Sequence, residues 1–85
     1  MSHVKRPIID GKKMIKFLQR NGYVLVRSKG SHFHFKRRDG QGFLITIAVH
    51  GKDEIKPDTL DNIIEYYAKN EGQTIDEVRQ ALLDM

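Results

Sequence analysis

A strict alternation of residue types from residue 32 to residue 38 limits what this chain can fold into more than any other stretch. Phe33 and Phe35 fall on one side of an extended backbone, whereas His32, His34 and Lys36 fall on the other. This pattern predicts a β-strand with one buried face and one solvated face. Such a strand belongs to a sheet whose apolar side is covered by other elements.

Two further strands flank the alternating one. The segment 23–28 is rich in β-forming residues and is joined to it by the short turn 29–31. The loop 39–42 contains an Asp-Gly pair typical of hairpins, and the segment 43–50 after it alternates again. Its two faces are predicted to carry Phe43, Ile45, Ile47 and Val49 on one side, and Leu44, Thr46, Ala48 and His50 on the other. Links this short predict an antiparallel sheet of three strands.

Apolar residues at helical spacing lie before and after the strands. Asp10 is the predicted N-cap of the first helix. A second helix begins at Pro57 and ends near Gly72. Thr74, followed three residues later by Glu77, predicts a capping box that starts a short third helix.

The order α-β-β-β-α-α predicts an α+β fold with the helices on one face of the sheet. A chain of 85 residues is one domain, which we assign to 10–85, and residues 1–9 are expected to form a loose lead-in. A domain of this size has little room for a deep pocket. We therefore expect an active site on the surface and a large substrate.

The composition excludes several kinds of site. There is no cysteine, so disulfides and thiolate metal sites are excluded, which fits the reducing cytoplasm. No apolar run approaches the length of a membrane span, and no export signal follows the basic residues near the start. The sequence therefore predicts a cytoplasmic protein.

The net charge of +4 favours a polyanionic partner, and the excess of positive charge lies in the part of the chain before residue 57, including its middle. Basic residues outnumber acidic ones between residues 29 and 56, whereas acidic residues predominate from residue 58 onward. This distribution favours phosphate binding over a role in solubility alone. The residues predicted to contact RNA phosphates are Lys29, Gly30, Ser31, Lys36, Arg37, Arg38 and Lys52.

A Gly-Ser turn leads directly into His32. The backbone N–H groups of such a turn can bind phosphate oxygens, and imidazole accepts and donates protons near neutral pH. Cleavage of RNA needs a base for the 2′-hydroxyl proton, an acid for the leaving 5′-oxygen, and cations that stabilise the phosphorane. Judged by spacing alone, the alternative is a solvated histidine beside a turn.

The other histidines leave alternatives open. His34 is a second acid–base group or an exposed polar residue, and His50 orients phosphate or caps the end of its strand. With His32 they would form a histidine-only zinc site, a minor alternative because no cysteine or nearby carboxylate completes it. His3 lies in the lead-in and is expected to be inert.

Three stretches of the chain resemble the HicA-type toxins, the mRNA interferases of HicA/HicB toxin–antitoxin systems. They are the opening helix with its exit from Gly11 to Tyr23, the stretch from Val26 to His32, and the segment from Val49 to Leu60. The resemblance covers roughly residues 10–67. The tail from residue 72 onward extends beyond the commonest short form of the family.

The resemblance implies a double-stranded-RNA-binding-domain-like fold, α-β-β-β-α, to which the third helix is a short C-terminal addition. It implies a metal-independent endoribonuclease that cleaves mRNA without a cofactor, with His32 as the single catalytic histidine. It also implies a HicB-like antitoxin that binds the toxin and masks the site. The rival interpretation is a non-catalytic RNA-binding module, because a fold does not fix a function.

Overall fold

The order of helices and strands predicted from the sequence is confirmed. The computed structural model describes residues 4–85. Its elements are α1 (Gly11–Arg20), β1 (Tyr23–Lys29), β2 (His32–Arg37), β3 (Ile45–Ala48), α2 (Pro57–Glu71) and α3 (Ile75–Leu83). Within the described range, no helix is long and apolar enough to cross a membrane.

β2 is the central strand of an antiparallel sheet of order β1-β2-β3. The cross-strand pairs Phe33–Ile47 and Phe35–Ile45 carry its apolar face, against which α1 and α2 pack, and α3 packs on α2. The helices contribute Met14, Phe17, Leu18, Leu60, Ile63, Ile64, Tyr67, Ala68, Val78 and Leu82 to the core. The alternation read in β2 therefore separates a buried face from one that carries its histidines.

Side-chain caps determine where two of the helices begin. The predicted N-cap Asp10 accepts a hydrogen bond of 2.8 Å from the Lys13 N–H. Thr74 and Glu77 form the predicted capping box through hydrogen bonds of 3.0 and 3.1 Å. Each cap stabilises its helix by about 1 kcal/mol. Gly72 ends α2 in the left-handed conformation, with φ of 65°.

β3 is shorter than the predicted strand 43–50, because the first of those residues is held by α2. The Phe43 N–H donates to Oδ1 of Asn70 at 2.6 Å, and Nδ2 of Asn70 donates to the Phe43 carbonyl at 3.0 Å. The Phe43 ring also lies 5.3 Å from the ring of Tyr66. Phe43 is 50% exposed, in contrast to the buried Ile45 and Ile47, with which it was predicted to share a face.

Residues 4–9 are docked, in contrast to the loose lead-in expected for 1–9. Arg6 donates two hydrogen bonds, of 2.8 and 3.0 Å, to the Asp61 carboxylate of α2. These bonds hold the pKa of Asp61 below its usual value. Ile9 is only 4% exposed and belongs to the core. Burial of Ile9 and the ion pair between Arg6 and Asp61 thus fix residues 4–9, although the sequence predicted a loose segment here.

Candidate active site

The two-residue turn Gly30-Ser31 holds His32 at the start of β2. Gly30 has φ of 58°, a conformation that strongly favours glycine. Apart from Gly30 and its two chain neighbours, no residue has an atom within 4 Å of the position that a Cβ on Gly30 would occupy, so this turn is open to a ligand. Lys29 and His32 are directly opposite each other across the strands, and both are exposed.

A β-bulge in β1 decides which of its side chains lie beside the histidines. The pairing with β2 slips by one residue at Val26, so that Arg27 lies opposite His34. In an unbroken strand, Arg27 and Lys29 would face the helices, because side chains alternate with period two. After the bulge, both face away from the helices on the same side as His32.

We call the sheet face opposite the helices the open face. Its cross-strand rows are Lys29–His32–Ala48 and Arg27–His34–Thr46, and Lys36 follows His34 along β2. Within residues 4–85, the side chains of Arg27, Lys29 and His32 form no ion pair or hydrogen bond. Two cations and one imidazole on this face are therefore available to a ligand.

His34 and Lys36 are more restrained than their neighbours on the open face. Nδ1 of His34 and Oγ1 of Thr46 share a hydrogen bond of 2.8 Å, which ties β2 to β3. Lys36 Nζ donates to the Gly40 carbonyl at 3.4 Å, a long bond that a phosphate oxygen can replace. The structure therefore gives His34 a positional role and leaves Lys36 available.

His50 lies just past β3, where the ladder ends. The Val49 N–H donates to the Ser31 carbonyl at 2.9 Å, so the pairing with the β1–β2 turn continues beyond Ala48. The Asp53 N–H donates to the His50 carbonyl at 3.1 Å and closes a turn behind it. His50, Lys52 and Lys56 line an open cleft of about 660 Å³ beside α2.

Gly11 holds this end of β3 against α1, a role that sequence reasoning did not identify. A Cβ on Gly11 would lie 2.7 Å from the Ala48 carbonyl oxygen and 3.2 Å from the Val49 Cα. Both neighbours are backbone atoms, so only glycine allows this approach without displacing the strand. The sequence signal for this role was the presence of a glycine directly after the predicted N-cap Asp10. Arg27 was also missed, because nothing in the apolar start of β1 marks its bulge.

The two adjacent arginines predicted to contact phosphate have different surroundings. Arg37 points toward α2, where its guanidinium contacts the Asn70 carbonyl at 2.7 Å and the carboxylates of Asp39 at 2.9 Å and Glu71 at 3.7 Å. These contacts assign Arg37 to the attachment of the hairpin loop. Arg38 is exposed, and its side chain has no partner within the described chain.

The described residues contain no group of three or more His, Cys, Asp or Glu side chains placed to hold a metal ion. His32 and His34 share a face but are not joined there by a carboxylate ligand. His3 lies outside the described residues.

The fold and this face define a class: a small basic α+β domain with a histidine at a glycine turn. The family model described as the HicA toxin of bacterial toxin–antitoxin systems matches residues 11–67. The match spans α1 to the buried Tyr67 and includes the turn and His32. The chain therefore belongs to the HicA toxin family, and as a member of a toxin–antitoxin system it has an antitoxin partner. No curated protein matches it significantly.

Proposed function

We propose that this toxin acts in the cytoplasm as an endoribonuclease on mRNA and that His32 is its proton-transfer residue. The observation that carries the proposal is an exposed His32 beside Lys29 and Arg27, whose charges have no partner within residues 4–85. Imidazole moves protons at neutral pH, and free cations stabilise the charge that develops on a phosphorane.

The proposed reaction is a transesterification within the RNA. The 2′-oxygen attacks the adjacent phosphorus and its proton passes to His32. The bond from phosphorus to the 5′-oxygen breaks as that oxygen takes up a proton from an acid at the site. Lys29 and the backbone of Gly30 and Ser31 hold the reacting phosphate, and Lys36, Arg38 and Lys52 hold its neighbours. The products are a 2′,3′-cyclic phosphate and a 5′-hydroxyl.

Replacement of His32 by alanine tests this function. The variant should fold and bind RNA nearly as the wild type does, because the turn and the cations remain. Its cleavage of a defined RNA should be on the order of a hundredfold slower or more, the usual scale for lost acid–base catalysis. His34→Ala, with its ring bonded to Thr46, is the matched control and should lose much less. A folded His32→Ala protein that cuts at the wild-type rate would exclude His32 from the chemistry.

Cleavage is also expected to persist in a chelator. The two proton transfers and the cations supply the required catalysis without a metal-activated water. The measurement is the rate for purified toxin with and without EDTA. Loss of cleavage in EDTA that is restored by zinc or magnesium would contradict this mechanism.

The second candidate function is non-catalytic RNA binding, which the same unpaired cations favour. It predicts that the protein binds RNA and that the RNA remains intact, with wild type and His32→Ala indistinguishable. In either case we propose that the antitoxin is HicB-like and covers the open face, so that RNA and antitoxin compete for it.

A further inference from the structure

A second imidazole lies near His32 across the sheet. His32 is paired with Ala48, and His50 is two residues further along the same chain. Val49, between them, is half-buried and packs against the core, so Ala48 and His50 share the opposite side of the backbone. Regular strand geometry, continued from Ala48 at the end of β3, makes His50 the diagonal neighbour of His32 on the open face, a position whose backbone separation in regular sheets is about 7–8 Å.

This position is fixed by contacts on both sides of His50. The Val49 N–H bond to Ser31 holds the preceding residue, and the Asp53 N–H bond to its carbonyl holds the turn that follows. Gly51, the second residue of this turn, has φ of 61°, a conformation that favours glycine. The approach of Gly11 to the backbone of Ala48 and Val49 supports the strand end from the helix side.

Cations lie on both sides of the two histidines, and acidic residues balance those of the cleft. Lys29 lies opposite His32 in β1, and the cleft that His50 lines is bordered by Lys52 and Lys56. Two acidic residues, Asp53 and Glu54, also line this cleft. At about 660 Å³, the cleft is large enough for one nucleoside on the far side of His50.

We propose that His50 is the general acid of the cleavage reaction and that the scissile phosphate lies between His50 and His32. This rests on the function proposed above. As the bond from phosphorus to the 5′-oxygen breaks, the His50 imidazolium gives its proton to that oxygen, while His32 takes the proton of the attacking 2′-hydroxyl. Each step transfers one proton, and the cyclic phosphate and the free 5′-hydroxyl balance the equation.

RNA in which sulfur replaces the bridging 5′-oxygen of one phosphodiester tests this assignment. A thiolate leaves without being protonated, so an enzyme that lacks only its general acid cleaves this substrate normally. We expect His50→Ala to cut ordinary RNA on the order of a hundredfold more slowly than wild type, yet to cut the sulfur-containing RNA at nearly the wild-type rate. His32→Ala should be slow on both substrates, since the loss of the base is not compensated.

The outcomes separate this inference from the proposed function. A slow His32→Ala with a His50→Ala as fast as wild type on ordinary RNA would leave the nuclease in place and exclude His50. Equal slowing of His50→Ala on both substrates would also exclude it as the acid. Cleavage at the wild-type rate by both variants would overturn the proposed function itself.

A second variant guards against an effect of His50 on folding. His50→Gln keeps a polar side chain of similar length but provides no acid, and circular dichroism checks that it is folded. It should repeat the behaviour of His50→Ala on both substrates. Normal cleavage of ordinary RNA by folded His50→Gln would overturn the proposal.

Discussion

The two ends of the sheet differ in what their polar groups contact. At one end, which we call the clamped end, the loop 37–44 is attached to the end of α2 through Arg37, Asn70 and Glu71. At the other, the histidine end, formed by residues 29–32 and 48–53, the side chains of Lys29, His32, His50 and Lys52 make no such contacts within the described chain.

Residues that stabilise the fold therefore lie at the clamped end of the sheet, and residues available to bind and cleave RNA lie at the histidine end. A cation that already has protein partners must lose them to bind phosphate, whereas an unpaired cation has only water to lose. Substitutions at the clamped end should therefore change the free energy of unfolding. Substitutions at the histidine end should change RNA binding and cleavage while the fold persists.

The largest effect should come from removal of charge at the histidine end and its neighbour in β1. We expect Arg27, Lys29 and Lys52, replaced together by alanine, to weaken RNA binding roughly tenfold to a hundredfold at moderate salt. The slope of log affinity against log salt should flatten by about 2, since each phosphate contact on a single strand contributes about 0.7. Titration of a labelled RNA at several salt concentrations measures both quantities.

The exposed cations of α1 provide a control of equal charge. Lys13, Lys16 and Arg20 are on the side of α1 away from the sheet core. Their replacement by alanine should leave the salt slope nearly unchanged. If this control flattens the slope and the first variant does not, RNA binds the helical side of the molecule and not the open face.

A smaller effect is expected at the clamped end, and it should be on stability alone. Asn70→Ala removes both hydrogen bonds to the backbone of Phe43 and should lower the free energy of unfolding by about 2 kcal/mol. Denaturant unfolding measures this loss. Cleavage by the folded variant should stay at the wild-type rate, and a large loss of activity would show that the two ends are coupled.

The smallest effect should appear only in alkaline solution. Burial, with a contribution from the charge of Glu71, raises the pKa of Tyr67 to about 12. The unfolded chain then ionises first as the pH rises above about 10, so the stability from this tyrosine is complete below that pH and is lost toward 12. At pH 11 the loss is about 1.4 kcal/mol.

Tyr67→Phe isolates this contribution. Its unfolding free energy should fall less steeply between pH 10 and 12 than that of the wild type. Tyr66→Phe, at a neighbouring residue that is 43% exposed, is the control for the removal of one hydroxyl group. A wild-type and a Tyr67→Phe profile of equal slope would contradict the assignment.

Local signals in the sequence identified much of the fold. The alternation of β2 and the caps at Asp10 and Thr74 each depend on a few neighbouring residues, which is why they were predictable. The length of β3 was not, because Asn70, far along the chain, holds Phe43 outside the strand.

The candidate site shows the same limit. His32 follows a recognisable glycine turn, and the alternation of β2 indicated the face it lies on. Arg37 falls on the side of Phe33 and Phe35 by the same alternation, and α2 supplies the acceptor that holds it there. Arg27 lies on the open face only because of the bulge, which depends on pairing between β1 and β2 and is not contained in the spacing of β1 alone.

The bulge in β1 also bears on the exposed edge of the sheet. β1 is an edge strand, and Leu25 and Val26 on it are about half exposed, a combination that invites another strand to add to the sheet. An added strand needs evenly spaced N–H and carbonyl groups, and the extra residue at Val26 interrupts that spacing midway. The distortion that turns two cations toward the open face thus also protects the edge of the sheet against aggregation.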